Sequence, residues 1–213
     1  MTLFPAIATF LPYQGDKYIA PEKAGELEES MREMKKVAQA ARKEFQQLAK
    51  AFHRSQPHLD MHRTSQWMNQ AQIVRPHFWT YFQAEGAVSE PMFALRLYGD
   101  QRAYGVSVEV SFVERKKDEQ SLAKQNQVLQ VAVADSLYYM VQANGESRRV
   151  EGTEENRLSL LEQLAQDQIR KVLVKLDIDL AKADSMESVL AQLEEAFETL
   201  QPYYQATRML SDD

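Results

Sequence analysis

The chain has 213 residues, 44% of them apolar and 26% charged, with a formal charge of −6. That supplies a real core for one large domain or two small ones, and it argues against disorder and against a surface dominated by basic residues. Cysteine is absent, which excludes disulfides, thiolate nucleophiles and cysteine-held zinc or iron–sulfur centres.

Residues 1–20 read as an irregular lead-in. Met1 to Gln14 has no basic start and is interrupted by Pro5 and Pro12, so it is not read as a signal peptide. No apolar run reaches the roughly 18 residues of a membrane helix. A soluble, cytoplasmic protein without a membrane partner is expected. Pro21 and Glu22 suit a first helical turn and predict a long helix to about His53. Along it Ala24, Leu27, Met31, Met34, Ala38, Ala41, Phe45, Leu48 and Phe52 follow at steps of three and four, a seam with heptad spacing. Residues 54–76 form a polar connector punctuated by Pro57 and Pro76, with a short helix over 64–72.

Strands are predicted at 77–84, 91–98 and 103–114, the last two joined by a turn at Gly99 to Arg102. Val106, Val108, Val110 and Phe112 point one way. Ser107, Glu109 and Ser111 point the other, as on a half-solvated antiparallel sheet. A helix follows from Asp118 to Val133. Asn144-Gly145 predicts a hairpin between 137–143 and 147–151. Thr153 opens a helix to Asp167, residues 169–180 alternate as a strand, and Ser185 caps a last helix that Pro202 ends or kinks. The order predicts an α+β fold: a long N-terminal helix, then an antiparallel or mixed sheet with helices packed on one face. The divisions are 1–53, lead-in and helix; 54–76, connector; and 77–213, a body that forms one cooperative domain with the helix.

Three constellations carry chemistry. Glu114, Arg115 and Lys116 end a strand. With Glu90 brought opposite by the hairpin, two acids and a lysine could hold Mg²⁺ and orient water in a nuclease. Asp100 is too far along the strand, and Glu85 lies further out. The plainer reading is a solvated strand-to-helix junction. His58, Asp60 and His62 have spacing for Zn²⁺ or Mn²⁺, with His53 or His77 as further ligands, against exposed histidines in a connector. Trp67, His77, Phe78, Trp79, Tyr81 and Phe82, with Arg75, could stack single-stranded bases or form the sheet's core. Arg115 to Lys117 and Arg148-Arg149 are patches too small to dominate the surface. Phosphate-binding glycine loops, nucleophile elbows and dinucleotide fingerprints are absent.

Tyr104-Gly105-Val106-Ser107-Val108-Glu109-Val110-Ser111-Phe112, the charged junction and Gln125-Asn126 resemble an uncharacterised protein family of lactic-acid and related Gram-positive bacteria. Some of its members carry a ribonuclease P label. The ribonuclease P protein is small and strongly basic with an Arg-Asn-Arg-type motif, which this chain lacks, so the resemblance implies no such activity. The same stretch distantly resembles DNA-reading modules of modification-dependent restriction systems. Neither resemblance transfers a functional residue.

The expected function is a non-catalytic binding or self-association module without a cofactor. Its interaction seam is Leu27, Met31, Met34, Phe45, Leu48 and Phe52, which either packs within the chain or forms a homodimer through the long helix. The alternative is a Mg²⁺-dependent nuclease or nucleic-acid-associated protein using Glu90, Glu114 and Lys116.

Overall fold

A computed structural model describes residues 2–118 and 120–209. The lead-in forms a short helix, α1 (Pro5–Phe10), which buries Ile7 and Phe10. The Ile7 N–H donates to Glu44 at 2.8 Å and ties α1 to the long helix. Pro21–Lys23 and Gly25–Leu27 are single 3₁₀ turns, not the start of that helix. Gly25 has φ +56°, a left-handed geometry that an α-helix of L-residues does not contain. The helix proper, α2 (Glu28–Ser55), therefore begins after it.

The seam is internal. Met31, Met34, Phe45, Leu48 and Phe52 are buried within their own chain. Phe45 packs on Phe78 at 5.9 Å, and Phe52 meets Phe82 and Phe197 edge-on at 5.4 and 5.8 Å. Leu27 is the exception at 51% exposed, because the 3₁₀ turn carries it off the helix stripe.

The connector contributes a two-residue strand, β1 (Asp60–Met61), and no helix over 64–72. Lys17 bridges Ile73 and Met68 bridges Val74 instead, around a turn in which Gln72 has φ +59°. β2 (Trp79–Gln83), β3 (Met92–Gly99) and β4 (Tyr104–Ser111) form an antiparallel meander. The expected helix from 118 to 133 is cut to α3 (Ser121–Asn126) and one 3₁₀ turn. Its end turns inward to satisfy strand backbone. Gln125 donates to the carbonyls of Val110 and Val172 at 3.1 Å each, and Asn126 accepts from the Val172 N–H at 2.9 Å.

β5 (Tyr138–Ala143) and β6 (Glu146–Glu151) form the expected hairpin, with φ +51° at Asn144 and +84° at Gly145. α4 (Glu154–Ala165) is capped by Thr153, β7 runs Lys171–Asp179, and α5 (Met186–Ala206) is capped by Ser185. α5 continues through Pro202 because the residues beyond it are anchored. Tyr203 and Tyr204 are buried, and the Tyr203 hydroxyl donates to Ala132 and accepts from the Ala134 N–H, both at 2.8 Å.

The seven strands form one sheet in the order β1-β2-β3-β4-β7-β5-β6, with every neighbouring pair antiparallel. The fold is α+β. α2 and α5 cover one face, where Phe82, Phe93, Val110 and Val174 join the core. The sheet's centre is the β4–β7 pair, with Val108 opposite Leu176. Among the described residues no helix is long and apolar enough to cross a membrane.

Ser107, Glu109 and Ser111 depart from the sequence expectation. They do face away from the helices, but all three are buried. Over Glu109, Arg96 of β3 and Lys175 of β7 take the place of solvent.

Candidate functional site

Alternation in β2 sends Thr80 and Phe82 into the core, both fully buried, and Trp79 and Tyr81 to the opposite face. There they floor a groove of about 690 Å³. One wall is the connector, Ser65 to Gln70 with Trp67 and Asn69, and the other is Val113 to Arg115, just beyond β4. Arg75 and Arg115 bring cations to the groove. Trp67 is itself largely buried, its ring edge-on to Tyr18 at 4.9 Å. The Tyr81 hydroxyl donates to the Phe112 carbonyl at 3.2 Å, which joins the floor to the second wall. Burial pushes the Tyr81 phenol up, so it stays protonated. Arg75 lies over the Trp79 ring at 4.9 Å and donates through Nε to the Met68 carbonyl at 3.1 Å. Arg96 of β3 approaches the same ring at 5.3 Å.

Beside the groove, in the middle of the sheet, Glu109 is fully buried. It accepts from Arg96 through Nε at 2.9 Å and Nη2 at 2.7 Å, and it pairs with Lys175. Burial alone would raise the Glu109 carboxyl; the two cations overturn that and hold it at about 2. His77 sits next to this cluster, 5.5 Å from Trp79. Burial, reinforced by Arg96, lowers its imidazole to about 4, so the ring is neutral at pH 7. Arg96, Glu109 and Lys175 carry no local sequence motif. The only signal for them is a lone acid on an alternating strand, with opposite charges on strands whose pairing has to be known first.

Glu114 accepts from Lys117, Arg170 and Lys171, on the face away from the helices. Those bonds hold its carboxyl at about 2 against burial, which would raise it. Glu90 turns to the helical side, where Lys124 and Arg208 at the end of α5 engage it. The two carboxylates thus belong to separate cation clusters, and Lys116 is exposed. His62 bonds to Gln83 at 2.9 Å, His58 meets Phe197 edge-on at 6.5 Å, and Asp60 is exposed. Among the described residues no three His, Asp or Glu side chains group as a metal ion would require. The aromatic cluster divides, with Phe78 and Phe82 in the core, Trp79 and Tyr81 at the groove, and Trp67 in the core where it also lines the groove.

No protein-family model matches the chain, and no curated protein is significantly similar to it. The functional reading is drawn from the groove itself.

Proposed function

We propose that the protein is a non-catalytic binding module that receives a flat aromatic group, such as a base of a single-stranded nucleic acid, in the groove over Trp79 and Tyr81. One observation carries this reading: both tryptophans of the chain and a tyrosine line one groove on the face that α2 and α5 leave uncovered. Aromatic and guanidinium planes are platforms on which bases stack, an aromatic one being worth about 1–3 kcal/mol per base. The Trp79–Arg75 stack supplies both kinds of plane, and Gln66, Asn69 and Gln70 on the wall supply amides for base edges.

Binding is favoured over catalysis because Glu90 and Glu114 engage different cations on different faces of the sheet. Self-association through the long helix is not part of the proposal, since its apolar residues are covered inside the chain. A cytoplasmic location accompanies the reading, in keeping with a chain that has no cysteine.

Trp67 and Trp79 are the only tryptophans, so intrinsic fluorescence reports on the groove alone. Titration with a short single-stranded oligonucleotide should quench the emission, and Trp79→Leu should weaken binding about tenfold. A spectrum that does not change with oligonucleotide or mononucleotide would reject the proposal.

A further inference from the structure

The groove carries a charge pattern that stacking alone does not use. Arg75 is fixed by the Met68 carbonyl and the Trp79 ring. Burial lowers its pKa, and the positive charge of Arg115 lowers it further. Both residues line the same groove. Glu114 is the acid among the lining residues, and Lys117, Arg170 and Lys171 already hold it. Arg115 makes no side-chain hydrogen bond or ion pair among the described residues, and the Arg75 guanidinium has one polar partner there, the Met68 carbonyl. The groove's lining thus sets Arg75 and Arg115 beside one carboxylate that three other cations already engage, in a chain whose formal charge is −6.

Like charges gathered over an aromatic floor repel one another until an anion comes between them. Arginine also presents donors in a fork that matches phosphate oxygens. We infer that the ligand of the groove is a nucleobase carrying a phosphate, with the phosphate held between Arg75 and Arg115 and the base on the Trp79–Tyr81 floor. The inference rests on the stacking proposal and narrows it: a neutral nucleoside fills the floor but leaves the arginine pair unanswered. The same chemistry is offered by a free nucleotide and by one residue of a single strand.

The test is a set of tryptophan-fluorescence titrations with adenosine, adenosine monophosphate, inorganic phosphate and a short oligodeoxyadenylate, at low and high salt. The monophosphate should bind about tenfold more tightly than adenosine at low salt, and most of that preference should disappear at about 0.5 M salt, where charges are screened within a few ångströms. Inorganic phosphate should compete with the monophosphate and not with adenosine. Arg115 is exposed, so Arg115→Gln should fold normally by circular dichroism. It should abolish the preference, lowering affinity for the monophosphate far more than for adenosine, and Arg115→Lys should restore part of it. An oligomer that binds more tightly than the monophosphate would identify the ligand as a strand, and equal affinity a free nucleotide; either supports the inference. Equal affinity for adenosine and its monophosphate would overturn the phosphate assignment and leave stacking intact. A preference that survives Arg115→Gln would also overturn it. Silence from every probe would sink both readings.

Discussion

Glu109 has no contact with water, and its charge is tolerated only because Arg96 and Lys175 reach it from the two flanking strands. Removing the carboxylate leaves two largely buried cations facing each other. Glu109→Gln should therefore lower stability by about 3–5 kcal/mol in urea unfolding; a cost below 1 kcal/mol would mean the cluster relaxes into water. His77 adds a pH dependence of definite sign. Folded, its pKa is about 4, below the ordinary value of 6.5. Between those values the unfolded chain binds the extra proton, so stability is complete above pH 6.5 and declines as pH falls toward 4. The loss is about 2–3 kcal/mol. His77→Asn should remove it, so the stability gap between wild type and variant should change across pH 6.5 to 4 and be flat above. Glu109 acts in a lower window. Its folded pKa of about 2 lies below the ordinary 4.5, so its contribution is whole above 4.5 and is lost as pH falls toward 2. The alternation of Ser107, Glu109 and Ser111 is legible in the sequence. The dryness of their face is not, because it is made by side chains from strands that become neighbours only after folding.

At the scale of elements, the seam of α2 shows what periodicity can and cannot reveal. Steps of three and four from Met31 to Phe52 identify the helix and its buried face. They do not say whether the covering surface belongs to the same chain, since a heptad stripe serves both purposes. Here the cover is α1, α5 and the sheet. Met34→Glu puts a charge into that interior and should unfold the protein, whereas Leu27→Glu, on the 3₁₀ turn, should change stability by less than about 0.5 kcal/mol. Thermal unfolding with light scattering separates the cases: a folded Met34→Glu monomer formed from a wild-type dimer would place the seam between chains. The start of α2 is also only half legible. Pro21 and Glu22 are good first-turn residues, but the left-handed Gly25 wins. The helix expected from Asp118 fails for a different reason: Gln125 and Asn126 gain more by bonding the strands than by prolonging the helix.

Across the whole molecule, the groove and the core are built from the same strand. β2 gives Phe82 to the cluster with Phe52 and Trp79 to the groove, so the groove's floor has no stability of its own. The β4–β7 pairing unites β1 to β3 with β5 and β6, and α2 and α5 meet across Phe52 and Phe197 on the helical side. A unit joined through both its sheet and its helical layer should unfold as one. Far-ultraviolet circular dichroism follows mainly the helices, and tryptophan emission follows only the groove. The two urea transitions should coincide in midpoint and slope, and a nucleotide that binds the groove should move both together, by an amount set by its concentration over its dissociation constant. If the tryptophan signal changed first, or if nucleotide shifted it alone, the connector wall would be a separately folding lid. The groove would then be shaped when its ligand arrives, and the stacking platform would not stand ready beforehand.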